Sequence, residues 1–152
     1  MNTAGKRILA VASGGGHWVQ LLRLRPAFEG HDVAFVTVDG RYARETPGRR
    51  FHAVNDATRW SKLGLVRQAI QVLFILLRER PVVVLSTGAS VGYFALLFGK
   101  LLGARTVWID SIANVEQLSM SGEWARRVAD LHLTQWEHLA SGSDVRYEGS
   151  VL

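Results

Sequence analysis

Arg7-Ile-Leu-Ala-Val-Ala12, followed at once by Ser13-Gly-Gly-Gly-His17, decides the fold. The run RILAVA is short and almost wholly apolar, the pattern of a buried strand, and the glycines stop it in a tight turn. From His17 onward, Val19, Leu21, Leu22 and Leu24 predict a helix ending near Phe28, with Gly30 as its stop. Asp32–Val38 (DVAFVTV) is the next strand. Strand, glycine loop, helix and strand in that order predict parallel pairing through a right-handed crossover.

The alternation continues outward. Asp39–Pro47 reads as a loop and Phe51–Val54 as a short strand; Ser61 caps a helix over Lys62–Glu79 that Pro81 terminates. Val82–Ser86 (VVVLS) has the β-branched continuity of a strand buried on both faces. Thr87-Gly88-Ala89-Ser90 turns into a helix over Val91–Leu102, closed by Gly103, and Thr106–Ile109 is a strand. Asp110–Met120 is a loop, Glu123–Val128 a short helix, and Leu131–Thr134 and Val145–Tyr147 are strands. No repeat or linker interrupts the series. The expected fold class is α/β: a single Rossmann-like, doubly wound parallel sheet forming one domain over residues 1–152.

Composition removes several function classes. With 152 residues, 48% hydrophobic and 20% charged, the chain can bury a core. The absence of cysteine excludes a disulfide framework and a thiolate metal site, and fits a reducing cytoplasm. A net charge of +5 favours anionic partners. The basic residues scatter rather than cluster, which points to phosphate or an anionic membrane face and not to nucleic acid. The apolar run near the N-terminus is too short for a secretory signal, and no stretch reaches the roughly 18–20 apolar residues of a spanning helix.

Ligands of such sheets bind beyond the carboxyl ends of the strands. Gly14, Gly15 and Gly16 let the backbone approach an anion there, and the free amides and dipole of the following helix favour negative charge. The same glycines also suit a bare strand-to-helix turn. They form no dinucleotide fingerprint, because Val19 stands where its third glycine belongs, and no P-loop, because no Gly-Lys-Ser/Thr follows. Asp39, ending the second strand, remains a candidate for a ribose. His17 is a candidate general base whose pKa the helix end would lower, or simply a residue solvating the helix start. His31, His52, His132 and His138 read as surface or packing residues, and Trp108 as core. No metal cluster is seen and no cofactor is expected.

Lys62–Arg80 (KLGLVRQAIQVLFILLRER) carries an apolar segment from Ala69 to Leu77 broken only by Gln71. Lys62, Arg67 and Arg78 rim it and Trp60 precedes it. A helix apolar nearly all round belongs in a core. One rimmed by basic and aromatic residues lies at a membrane interface. Both readings stand, and the second makes Trp60, Lys62, Arg67, Phe74 and Arg78 the membrane-contact set.

Ser-Gly-Gly-Gly-His after the first strand resembles the glycine loop of MurG-type GT-B glycosyltransferases. Ser86–Gly92 (STGASVG) occupies the place of that family's second acceptor-side loop. Asp110-Ser111-Ile112-Ala113-Asn114, Thr134-Gln135-Trp136-Glu137 and the closing Tyr147–Leu152 complete the pattern. From about Arg7 to Leu152, the chain resembles the asparagine-linked-glycosylation membrane-anchoring subunit family. More closely, it resembles the bacterial PssD/EpsE-type subunits of capsule and exopolysaccharide clusters. The eukaryotic relatives begin with a spanning helix that this sequence lacks, as the bacterial ones do.

The resemblance implies the N-terminal half of a GT-B enzyme. A separate chain would supply the nucleotide-sugar-binding half. This chain would hold a polyprenyl-diphosphate-linked acceptor and recruit its partner to the cytoplasmic face of the plasma membrane as a peripheral subunit, inactive alone. It ends soon after its last strand, which leaves no room for a second Rossmann domain. Gly14, Gly15 and Gly16, with Ser90 and Gly92, would cradle the diphosphate. His17 would position or deprotonate the acceptor hydroxyl, Ser111 and Asn114 would bind the acceptor sugar, and Trp136 and Glu137 would meet the partner. GT-B chemistry of this kind needs no protein-bound metal. Two rivals remain: a non-catalytic enhancer that anchors a complete partner enzyme, and a standalone Rossmann enzyme binding a nucleotide at the glycine loop.

Overall fold

Strand β1 (Arg7–Val11) lies inside the sheet, and the chain is wound outward from it on both sides. The structure, a computed structural model, describes residues 5–140 and 144–151. Met1–Ala4 and the closing Leu152 lie outside the described residues. After β1 come α1 (Gly16–Arg23), β2 (Asp32–Thr37), β3 (Arg50–Ala53) and α2 (Lys62–Glu79). Then follow β4 (Val83–Ser86), α3 (Ala89–Leu101), β5 (Arg105–Ile109), α4 (Met120–Ala125), β6 (Leu131–Thr134) and β7 (Val145–Tyr147). The strand order is β3-β2-β1-β4-β5-β6-β7, with every pair parallel. Order therefore reverses between β1 and β4, and that is where such sheets open a crevice at their carboxyl edge.

The two-residue period of the strands sorts the core into two layers. Leu9, Val11, Ala34, Val36, Val84 and Trp108 pack under α2 and α3. Ala10, Ala12, Val33 and Phe35 face the other way, onto Trp18 and Leu21 of α1 and onto Phe28. The apolar run Ile8–Val11 of β1 is explained by this double cover. Val83 and Leu85 of β4, by contrast, are only half-buried, so β4 is not sealed on both faces as its composition predicts. It begins at Val83 rather than Val82.

Three other boundaries are corrected. The first helix ends at Arg23, not near Phe28, and a 3₁₀ turn follows over Arg25–Phe28. Pro26 is the cause, since it lacks the N–H a helix interior needs. The short helix lies at Met120–Ala125 rather than Glu123–Val128, because Ser119 caps it by accepting the Gly122 amide at 2.9 Å. The loop expected over Asp39–Pro47 contains a 3₁₀ turn, Gly40–Glu45, capped by Asp39. Helix α2 stands as predicted. Ser61 accepts the Gly64 amide at its start, and Arg80, in the left-handed conformation before Pro81, ends it.

Glu79 pins the end of α2 to the edge strand: it bonds Arg50 at 2.9 Å and His52 at 2.6 Å. Burial alone would raise its pKa. The hydrogen bonds from His52 and Arg50 outweigh burial and leave it lowered. His52 is thus a hydrogen-bond partner of Glu79 rather than a bystander.

His132 is the exception to this pairing. It sits in the row Ser86–Trp108–His132–Val145 across the sheet, 2% exposed, with neither ring nitrogen hydrogen-bonded. Burial lowers its pKa below 6.5, partly opposed by the charge of Asp110. The unfolded chain therefore takes a proton near pH 6.5 that the folded chain refuses, so stability is complete above that pH and is lost as pH falls through it. We predict that the urea midpoint falls between pH 7.5 and 5.5 in the native chain. In His132→Leu the slope should flatten by up to about 1.4 kcal/mol per pH unit in that window.

Candidate functional site

The loops after β1 and β4 meet at the reversal of strand order, and His17 joins them. Its Nδ1 lies 3.0 Å from the Thr87 carbonyl oxygen, while Thr87 Oγ1 donates to the His17 carbonyl at 2.7 Å. A carbonyl only accepts, so Nδ1 carries the proton and Nε2 keeps its lone pair for a ligand. Thr87, fully buried, thus holds His17 both at its ring and at its backbone. Gly88 makes room for it. At φ 145° it adopts a conformation side-chain-bearing residues avoid, and a Cβ there would stand 2.4 Å from His17 Nδ1.

Around His17 a cavity of about 210 Å³ is lined by Ser111, Asn114, Ser119, Met120 and Ala89, among others. Of the expected site residues, the fold thus gathers His17, Ser111 and Asn114, with the glycine loop adjoining. Gly15, at φ 65°, forms the turn into α1, and its amide donates to the Tyr42 hydroxyl at 3.0 Å. Space stands open beside Gly15 and Gly16. Helices α1 and α3 both begin without a side-chain cap. Two helix starts without a side-chain cap, each with the positive end of its dipole, provide a setting that favours negative charge.

Two expected diphosphate contacts are corrected. Ser90 Oγ donates its one proton to Gln68 Oε1 at 2.8 Å, so its hydroxyl offers an anion no proton and only its amide, in the first turn of α3, remains; its side chain lines a neighbouring cleft. Gly92 is buried against the sheet, where a Cβ would meet Ser86 Oγ at 1.9 Å and Trp108 at 3.2 Å, so it is a packing glycine. Asp39 is likewise spent internally. Hydrogen bonds from the Arg41 side chain, then from its amide, lower its pKa to about 2. Trp136 is half-buried and donates from Nε1 to the Ile112 carbonyl at 2.7 Å, which makes it a brace for the Asp110 loop. Glu137 beside it is exposed.

The site rests on residues that sequence reasoning passed over. Asp110, 1% exposed, accepts from Trp108 Nε1 (3.0 Å), the Ser119 amide (2.9 Å), Ser119 Oγ (2.6 Å) and Asn114 Nδ2 (3.2 Å). Four donors fill a carboxylate, so Asp110 is structural and holds the cavity wall in shape. Gln20 of α1 does the same from the other side, donating to Ser111 Oγ at 3.1 Å and accepting from Gln135 Nε2 at 2.6 Å. A buried glutamine on an otherwise apolar helix face was the available signal. Among the described residues no group of three or more His, Cys, Asp or Glu is placed to hold a metal.

Away from the crevice, α2 turns one face outward. Leu63, Val66, Ile70, Phe74 and Leu77, spaced three or four apart, are 49–86% exposed, whereas Gln68, Val72, Leu76 and Glu79 are buried. Trp60 (81% exposed), Lys62, Arg67 and Arg78 flank the exposed stripe. No helix among the described residues is long and apolar enough to cross a membrane.

This architecture defines a class: the Rossmann-like N-terminal domain of MurG-like GT-B enzymes. MurG of Acinetobacter baumannii superposes with a TM-score of 0.77 at 12% identity, over 95% of this chain and 45% of that one. Staphylococcus aureus MnaA, solved with UDP, gives 0.75 at 14% identity, over 96% and 45%. Within that class, the family model described as oligosaccharide biosynthesis protein Alg14 like matches residues 42–151, and the chain belongs to that family. The UDP-N-acetylglucosamine transferase subunit ALG14 of Candida albicans is 35% identical over 85 residues, 51% of this chain and 38% of that protein. The chain thus spans well under half the length of these relatives, and the family match begins after the glycine loop.

The geometry of His17 is directly testable. Nitrogen-15 NMR of the ring should report the Nδ1–H tautomer at neutral pH. Gly88→Ala should abolish that signature and cost about 1–3 kcal/mol of stability, since both the ring and the backbone must move. An unchanged tautomer in Gly88→Ala would remove the Thr87 tether from the description.

Proposed function

We propose that the chain is the acceptor-binding and membrane-recruiting subunit of a two-component glycosyltransferase. The transfer would run from a nucleotide-sugar donor, held by a separate GT-B half, to a polyprenyl-diphosphate-linked acceptor in capsular or exopolysaccharide biosynthesis. The observation that carries the reading is the Thr87-locked His17, its Nε2 free, between two uncapped helix N-termini. An anion bound by the amides of α1 and α3 sets an attached sugar beside Nε2, and Ser111 and Asn114 stand across the cavity from it. His17 accepts the proton of the acceptor hydroxyl as that oxygen attacks the donor sugar, and the nucleotide diphosphate leaves with the partner. Family membership supports the class of partner and substrate, since the Candida relative is itself a transferase subunit.

The outward face of α2 supports the membrane part. An amphipathic surface helix rimmed by Lys and Arg sits in the headgroup region of anionic lipid. The protein is then peripheral on the inner face of the plasma membrane. Glu137 is the exposed candidate for the partner contact.

The test is sugar transfer to a lipid-diphosphate acceptor in membranes, with this chain alone, the partner half alone, and the two mixed. Activity only in the mixture is expected, and His17→Ala should lower its kcat by about 10²-fold or more, the scale of general-base loss. Weak activity from the partner alone, raised equally by native and His17→Ala chains, would instead make this chain an enhancer. Separately, Phe74→Glu should weaken sedimentation with anionic vesicles by about 10-fold while leaving the fold intact.

A further inference from the structure

Beside the His17 cavity lies a larger cleft of about 330 Å³, bounded by α2, α3, α4 and the segment before α2. Its walls are apolar: Leu65 from α2, Val91, Tyr93 and Phe94 from α3, Trp124 from α4. Polar residues stand at its edges (Ser13, Asp56, Arg59 and Ser121); of those on α2 and α3, Ser90 and Gln68 are bonded to each other, and Gln68 Nε2 donates to the Asn55 carbonyl at 3.0 Å. Groups so occupied offer a polar ligand little, whereas an apolar ligand leaves no donor unpaired on entry.

The cleft adjoins the polar cavity, because Ala89, Met120 and Ser121 line both. Ala89 begins α3 and holds φ 69°, a conformation rare without glycine. A ligand in the cleft therefore passes the uncapped start of α3 on its way to His17. At the outer rim stands Arg59, its guanidinium 4.5 Å over the Trp60 ring, while the nearby Asp56 carboxylate accepts the Ala57 amide. Trp60 and Leu63, where the exposed stripe of α2 starts, follow directly in the chain.

We infer that this cleft seats the first isoprene units of the acceptor's own prenyl chain, next to its diphosphate. The inference rests on the acceptor-binding reading above. An acyl chain of bulk phospholipid is also apolar, but it has no tie to the anion site. A prenyl diphosphate carries both chemistries on one molecule, in the order in which the cleft, the α3 N-terminus and the His17 cavity follow one another. The rest of the chain leaves past Arg59 and Trp60 toward the lipid-facing side of α2.

Calorimetric titration of the full chain, without sugar, donor or partner, tests this. Farnesyl diphosphate should bind about 10-fold or more tightly than inorganic diphosphate, the gain from burying roughly two or more methylenes. Leu65→Trp and, as an independent filling of the cleft mouth, Ala57→Leu should each reduce that ratio to within about twofold while inorganic diphosphate binds as before. Leu63→Trp, the same ring on the exposed side of the same helix, should bind as the native chain does. Native-like farnesyl diphosphate binding by both filled variants would overturn the inference. So would competition by dihexanoyl phosphatidylglycerol below its micelle concentration, which would give the cleft to bulk lipid. A chain that shows the expected binding yet supports no transfer with any partner would defeat the acceptor-subunit reading and leave the cleft's ligand as inferred.

Discussion

Helix α3 lies directly on the sheet, and the site depends on that closeness. Gly92 and Gly99 face the strands, where a Cβ would come within 1.9 Å of Ser86 Oγ and 2.7 Å of Val84 Cγ2. With nothing between helix and sheet, Ser86 sits under the first turns of α3 and accepts the Gly88 amide at 3.1 Å. That bond shapes the turn, the turn presents the Thr87 carbonyl, and the carbonyl sets the proton on His17. A side chain at position 92 would lift the helix and break each step in turn. Close packing makes such a displacement costly, so the geometry is held without any dedicated loop scaffold.

What the site can offer a ligand is defined by what the fold leaves unspent. Asp110, Gln20, Ser90 and Asp39 all look chemically capable in isolation, and all are consumed by internal partners. Removing Asp110, Gln20 or Ser90 would leave a buried group unpaired, which costs more than the bond itself was worth. Asp110 and Gln20 hold Ser111, Asn114 and the α4 cap in place. The free groups are His17 Nε2 and the first amides of two helices. The solved structures that share this fold include a glycosyltransferase and proteins of another activity, UDP-N-acetylglucosamine 2-epimerases. The fold alone therefore selects no chemistry, and the argument for function stays with the site.

Helix α2 serves two surfaces with one sequence. Its inner stripe buries Val72 and Leu76 in the core and pins Glu79 to Arg50 and His52. The outer stripe leaves Leu63, Ile70 and Phe74 in the open. The two demands explain why the segment is apolar on nearly every side, a pattern that a purely buried or a purely interfacial helix would each also produce. Only the direction in which each residue points separates those cases.

Much of the fold was legible from local pattern, because glycine turns, β-branched runs and capping residues act over a few positions. The order of strands and helices, the span of α2 and the placing of the glycine loop at a carboxyl edge all follow from such short-range rules, whereas a site shared by His17, Ser111 and Asn114 was expected only from the family resemblance. Where the reading of the site slipped, the cause was a partner distant in the chain. Ser90 is spent on Gln68, Trp136 on Ile112, and Gly92 on Ser86 and Trp108 across the sheet. The Nδ1–H tautomer of His17 depends on a carbonyl 70 residues away. Local chemistry determined which residues could bind or react, and tertiary pairing alone decided which of them still had a proton or lone pair to give, because hydrogen-bonding capacity is finite and burial forces it to be used.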